Sequence, residues 1–262
     1  FELESLSLEG ELVPVEEGIA VSASNTDLEY GGFDLSLAEY GTLVYMAAGS
    51  EELTLKREVV WVSRDGEANA VAPGWRFDVS RVPGLDLSPD GRRLALEIGT
   101  GGADDIWVKE IPEGPMTRLT FHPKEDIRPH WTLDGRSILY VSDRSGDEPG
   151  RTHDLFMRRA DGAGAARKLL SLGESIWDAL PSAGWEGLIL RVGLPGSERG
   201  SRDIVGFRPG VDSTVTPILT SDFDEAAAVV SPDGRWIVYT SDESGRYEVF
   251  VRPFPNVDDG KW

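Results

Sequence analysis

The chain has 262 residues, with 46 Asp and Glu against 26 Lys and Arg, a formal net charge of −20 and no Cys. That length holds one large domain or two ordinary ones, with a real core. The charge excludes a nucleic-acid backbone or an anionic membrane surface as partner, since both need a basic face, and the absence of Cys excludes a disulfide scaffold, a thiolate nucleophile and a Cys-ligated zinc.

Residues 1–50 hold ten acids and no Lys or Arg. They read as a solvated, aggregation-resistant surface, with a cation-binding or basic-partner face as the alternative. No apolar run approaches the roughly 18 residues of a membrane span, so no direct membrane insertion is expected. There is neither an initiator Met nor a signal peptide. The chain opens at Phe1 inside a strand-like pattern and stops at Trp262 without a closing turn, which reads as a piece of a longer polypeptide.

Going along the chain, one landmark recurs. Glu39-Tyr40-Gly41 precedes Thr42–Tyr45. Ser88-Pro89-Asp90-Gly91 precedes Arg93–Leu96. Thr132-Leu133-Asp134-Gly135 precedes Ser137–Tyr140. Ser182-Ala183-Gly184 precedes Leu188–Leu190, and Ser231-Pro232-Asp233-Gly234 precedes Trp236–Tyr239. The turn glycines stand at 41, 91, 135, 184 and 234, at intervals of 50, 44, 49 and 50. A second landmark keeps the same phase: one acid before a short apolar run, at Glu58, Asp105, Asp154, Asp203 and Glu248. A third is a short strand after a further turn, at Arg118–Thr120, Lys168–Leu170 and Ile218–Thr220.

Ser-Pro-Asp-Gly suits a type I turn, with Ser first, Pro presetting φ second and Gly fourth. It joins two strands as a hairpin. The wholly apolar second strand fits burial on both faces. A Gly- and Ser-rich loop, the acid-led strand, another turn and a last short strand complete the unit. No segment keeps an apolar 3.6-residue period over three turns. Four strands per unit of about 45 residues, repeated five times, predict an all-β β-propeller. We expect 1–24 to give outer strands of a shared closing blade, with blades at 25–74, 75–121, 122–173, 174–221 and 222–262, the last lacking its fourth strand. Glu11–Val15 supplies that strand if the ring closes with five blades; otherwise a sixth blade lies partly beyond Trp262.

These residues carry a family resemblance. Ser231–Trp236, Val238–Gly245 and Glu248–Val251 resemble the Pro-Asp repeat of TolB-like propellers, which Ile138–Ser145 and Asp154–Phe156 repeat. Tyr247–Pro255 with Asp259–Trp262, Gly41–Tyr45 and Asp105–Val108 is similar to the propeller region of bacterial receptor-type Ser/Thr protein kinases. That resemblance implies a ring that is usually six-bladed, an extracytoplasmic location and a non-catalytic sensor or interaction role.

The segment itself shows no kinase motif and no Gly-x-Ser-x-Gly elbow. We therefore expect no enzyme activity and no cofactor. His122, His130 and His153 lack metal-pair spacing, although His122 and His130 flank one connection. Asn256–Gly260 resembles half a calcium loop without its downstream Glu, and reads as an acidic turn. The five phased acids are expected to accept backbone N–H bonds. A rim of carboxylates holding a cation is the alternative. Trp75, Trp131, Trp177 and Trp185 are read as packing residues.

Loops entering the innermost strands of such propellers crowd a channel mouth. Arg76 and Ser175 stand there, and Arg81, His122, Asp126, Arg128, Asp178, Asp224 and Glu225 are the candidate ligand-binding residues. Their mixed charge suits a peptide, a protein or a small polar ligand. Arg144–His153 and Arg199–Arg202 are candidate protein contacts. The competing reading is a propeller that gates a separate prolyl-oligopeptidase-type hydrolase domain.

Overall fold

The computed structural model describes residues 35–37, 43–46, 56–78, 84–99, 103–144, 152–182, 184–193 and 202–261. The expectations for 1–24, including the strand at Glu11–Val15, lie outside the described residues. Among the described residues the protein is all-β, with five antiparallel sheets in chain order.

Sheet 1 holds β1 (Leu35–Leu37), β2 (Leu43–Met46), β4 (Val59–Val62) and β5 (Ala68–Ala70). Sheet 2 holds β7 (Leu85–Leu87), β8 (Arg93–Gly99), β9 (Asp104–Glu110) and β10 (Met116–Arg118). Sheet 3 holds β11 (Asp126–Trp131), β12 (Ser137–Ser142), β13 (Asp154–Arg159) and β14 (Arg167–Leu170). Sheet 4 holds β15 (Ser175–Ser182), β16 (Gly187–Gly193), β17 (Arg202–Phe207) and β18 (Thr216–Leu219). Sheet 5 has three strands, β19 (Glu225–Val230), β20 (Trp236–Ser241) and β21 (Glu248–Pro253). One small pairing was not legible in the repeat: β3 (Lys56–Arg57) with β6 (Phe77–Asp78).

The hairpins form as their residues dictate. In the Ser88 turn, the Ser88 Oγ donates to Asp90 Oδ1 at 2.6 Å, and the amides of Arg93 and Arg92 donate to Ser88 Oγ and Asp90 Oδ1 at 2.9 and 3.1 Å. Gly91 closes the turn onto the Ser88 carbonyl at φ +69°. Thr132–Gly135 and Ser231–Gly234 repeat every one of these bonds. The hydroxyl and carboxylate thus satisfy amides that the hairpin leaves unpaired, and glycine supplies the left-handed residue.

The sheets stack through their second strands. On β8, Leu94, Leu96 and Ile98 face sheet 1, where they meet Val59 and Val71. Ala95 faces sheet 3 and joins Ile138, Tyr140 and Trp131. On β12 the parity continues: Leu139 and Val141 turn to Leu188, Leu190 and Val192 of sheet 4. Ile189 of β16 turns the other way, onto Ile237 and Tyr239 of β20. Each fully buried Leu or Ile contributes about 1.5–3 kcal/mol over its exposed state. In sheet 5 only one face is covered among the described residues; Val229, Val238 and Val249 are exposed.

Neighbouring sheets are also stapled by polar groups. Trp131 donates its amide to Asp86 Oδ2 at 2.7 Å and its indole N–H to the Asp86 carbonyl at 3.1 Å. Arg93 lies 4.4 Å over the Trp131 ring and donates to the Gly135 carbonyl at 2.8 Å. Trp75, Trp131 and Trp185 all pack into the inter-sheet cores, as read from sequence.

Two glycines separate the turn's terms. A β-carbon on Gly91 would meet nothing within 4 Å, so Gly91→Ala carries only the left-handed backbone cost, about 1 kcal/mol. At Gly234, φ +68°, it would collide with the Gly184 backbone of the neighbouring turn, adding a further ~1–3 kcal/mol of overpacking. Urea unfolding of the two variants should rank them in that order; equal losses would show that the turns of sheets 4 and 5 are not pressed together.

Candidate functional site

The first strands of consecutive sheets lie beside one another, β1 by β7, β7 by β11, β11 by β15 and β15 by β19. Three of them, β11, β15 and β19, carry a bulge near the start, after Ile127, Ile176 and Ala226. Arg128 and Ala227, inside two of these bulges, hold left-handed φ values of +55° and +51°. A bulge inserts one residue and re-aims the side chains that follow it. Here it brings polar groups from four sheets onto one edge.

At the centre of that edge His130 Nε2 lies 2.8 Å from Asp178 Oδ1, and its Nδ1 lies 3.8 Å from Asp86 Oδ2. Glu97 of β8 accepts the Arg128 amide at 3.0 Å. On the other side Arg202 pairs with Asp224, which also accepts the Tyr247 hydroxyl. Asp126 is fully buried and bound by Arg144 at 2.5 Å. Glu225 accepts from the Ser221 hydroxyl. Arg191 reaches the same edge from β16; among the described residues its guanidinium has no hydrogen bond, and its Nε is buried.

Burial and neighbouring charge divide these groups. Burial alone would pull His130 down, but the Asp178 and Asp86 carboxylates outweigh it and hold it protonated, at about 10. Burial works to raise Asp178, and the imidazolium overcomes it, so Asp178 sits below the ordinary carboxylate range. Burial pushes Glu97 up to about 7 against the amide bonds it accepts. Burial likewise lifts Glu225 to about 7, opposed by Ser221. Arg191 is lowered to about 9 by burial and then by the Arg128 charge. The edge is a desolvated, mixed-charge surface whose acids and bases are mostly spoken for.

The sequence-derived candidates divide accordingly. Arg128, Asp178 and Asp224 belong to this edge. Asp126 and Glu225 stand at matching first-strand positions, Asp126 sealed by Arg144. His122 lies in the approach to β11, its Nδ1 accepting the Lys124 amide at 3.2 Å. Arg81 lies outside the described residues. His122 and His130 take different partners, and no group of three or more metal-ligating side chains occurs among the described residues. Arg144 and Arg202, read as contacts for a protein partner, turn inward instead, because each neutralises a buried aspartate. The phased acids Asp105 and Asp154 are held by side chains rather than by the expected loop amides alone: Arg118 and Thr120 bind Asp105, and Lys168 and Ser171 bind Asp154. These partners come from the fourth strand or just past its end. Asn256–Gly260 contains a 3₁₀ turn, Val257–Asp259. Sequence reading did not place Glu97, Asp86 or Arg191 at the edge; their signal was a charged residue interrupting or bordering an otherwise apolar inner strand.

The family model "TolB beta propeller domain" (PD40) matches residues 70–252. The chain belongs to this family. Among solved structures, TolB from Acinetobacter baumannii aligns over 84% of this chain and 51% of its own, with a TM-score of 0.63 and 16% identity. A puromycin hydrolase aligns over 84% of this chain and 35% of its own, with a TM-score of 0.57 and 21% identity. Both likenesses concern the fold. Among curated proteins, the uncharacterized peptidase YuxL of Bacillus subtilis is 26% identical over 207 residues, 63% of this chain and 31% of that protein. The chain thus spans about a third of that relative and half of the TolB structure. Nothing in these matches ties the TolB-type domain to a receptor kinase. It is a TolB-type domain by kinship, and its sequence carries neither kinase nor hydrolase motifs.

Two outcomes test the edge. Glu97 keeps a proton in the folded state that the unfolded chain releases, so parent stability falls as pH rises from about 4.5 to about 7. Glu97→Gln removes that titration, and its stability relative to the parent should rise across this window in urea unfolding. His130→Gln leaves Asp178 without its counter-charge, an expected loss of about 3 kcal/mol. That loss should be full below about pH 6.5 and shrink toward pH 10, where the parent imidazolium itself deprotonates.

Proposed function

We propose that this TolB-type domain is the non-catalytic propeller of a peptidase, holding or admitting peptide at its first-strand edge while a separate catalytic domain cleaves it. One observation carries the reading: the chain matches 31% of a protein named as a peptidase, yet contains no Gly-x-Ser-x-Gly elbow of its own. The reading gives a module with that kinship and without that elbow the task of binding and access.

The chemistry of the edge supports a peptide ligand. It offers fixed carboxylates, an imidazolium and guanidinium groups beside apolar inner strands, the mixture that reads backbone and termini of a short chain. Strongly acidic composition argues against nucleic acid. An extracytoplasmic setting accompanies the TolB kinship and is part of this proposal.

The test uses the 262-residue chain and a set of C-terminally amidated hexapeptides. We expect binding by calorimetry and no release of p-nitroaniline from peptide p-nitroanilides. Hydrolysis by this chain, or silence across the whole peptide set, would overturn the reading.

A further inference from the structure

Each sheet carries one phased acid near the start of its third strand, and four of these acids meet a cation. Glu58 faces Arg76 at 3.9 Å, and Arg246 donates to Glu248 at 2.6 Å. In sheets 2 and 3 the cation comes from the fourth strand. Arg118 lies 2.5 Å from Asp105, and Lys168 lies 3.1 Å from Asp154. Arg118 pairs with Trp107 and Lys168 with Phe156, in each case two residues beyond the acid. That diagonal is within reach of a long side chain. Sheet 4 keeps the register but changes the residue: Pro217 pairs with Val205, two residues beyond Asp203. Proline offers no charge, and the Asp203 carboxylate has neither a hydrogen bond nor an ion pair among the described residues.

Other acids surround this vacant partner position. Ser175 pairs with Gly193 and Gly193 with Arg202, so β15 and β17 begin at the same end of sheet 4. Glu174 immediately precedes β15, and Glu225 opens β19. Burial raises Asp203, burial and then the Asp203 charge raise Glu174, and the same charge adds to burial in raising Glu225. Glu225 is only 4% exposed, and its Oε2 makes no hydrogen bond. Arg202, next to Asp203 in sequence, turns to Asp224 instead. A cation seated on Asp203 therefore relieves three carboxylates together.

The other sheets show what kind of cation fits. No group of ligands suited to a metal ion occurs among the described residues. Sheets 2 and 3 use a guanidinium or an ammonium on a flexible stem. The Arg118 guanidinium also lies 5.0 Å from the ring of the exposed Phe121. The connection after β18 carries an exposed aromatic of its own, Phe223.

We propose that Asp203, with Glu174 and Glu225 beside it, is a subsite for an arginine or lysine side chain of the bound peptide, which takes the place that Arg118 and Lys168 fill in sheets 2 and 3. The subsite rests on the peptide-binding reading above and names the residue that the peptide must carry.

The probes are acetyl-Gly-Ala-Arg-Ala-Gly-Ala-amide and the same peptide with citrulline for arginine, which keeps the shape and removes the charge. Binding to the 262-residue chain is followed by ligand-observed NMR at pH 7 and low salt. The arginine peptide should bind about fivefold more tightly, the upper range for a partly exposed ion pair. Asp203→Asn should abolish that preference, whereas Glu113→Gln, which removes an exposed acid elsewhere, should leave it intact. Pro217→Lys tests the site without touching an acid: its lysine should fill the subsite as Lys168 does in sheet 3 and abolish the preference. Equal binding of the two peptides, a preference that survives Asp203→Asn or Pro217→Lys, or one that Glu113→Gln reduces as much, overturns the subsite. The arginine–citrulline comparison needs no variant, so it decides even if a variant does not fold. If neither probe binds while other amidated hexapeptides do, only the subsite fails; silence of the whole set takes the peptide reading with it.

Discussion

The structure depends on a strand that is apolar on both faces. In an isolated sheet, the odd and even side chains of β8, β12 and β16 could not both leave water. Stacking sheet upon sheet solves this, because each second strand gives one parity to the preceding sheet and the other to the following one. The hydrophobic gain is non-directional, so it fixes the stacking but not the register. The register comes from the Ser/Thr-Asp-Gly turns, whose side chains bond the same amides in sheets 2, 3 and 5.

Stacking has an electrostatic consequence. It draws the first strands together and dehydrates whatever they carry. Charges that would be indifferent on a surface become costly there, and pairing decides which ones persist. His130 with Asp178, Arg202 with Asp224 and Arg144 with Asp126 are three local solutions to one constraint. Glu97 takes a fourth route, accepting amides and rising to about 7. The left-handed Arg128 and Ala227 belong to the same economy of space: each bulge costs backbone strain, and each re-aims a strand that would otherwise present its apolar parity to the edge.

Kinship and chemistry answer different questions. The TolB-type fold is shared by proteins as different as TolB and a puromycin hydrolase, so it does not select among their roles. Most charges at its first-strand edge already have partners, and Arg191, whose buried Nε makes no hydrogen bond, faces the Asp178 and Asp224 carboxylates. A resemblance centred on the Pro-Asp repeat reports hairpin chemistry, which every member needs, and is therefore silent on the ligand and on the neighbouring domain.

The sequence by itself determined the all-β class, the five repeats, the hairpin turns and the packing role of Trp75, Trp131 and Trp185. These are local matters: a turn is decided within four to six residues, and an apolar run shows its burial by its own composition. It also pointed to Arg128, Asp178 and Asp224 through their place before or within the inner strands. Only the tertiary structure decided that His130 serves Asp178, 48 residues away, that Arg144 and Arg202 face inward, and that Arg191 reaches the edge with its Nε buried. Pairing between sheets depends on bulges and on which side of a strand each residue faces. A one-residue insertion reverses that side without changing the composition from which a sequence is read.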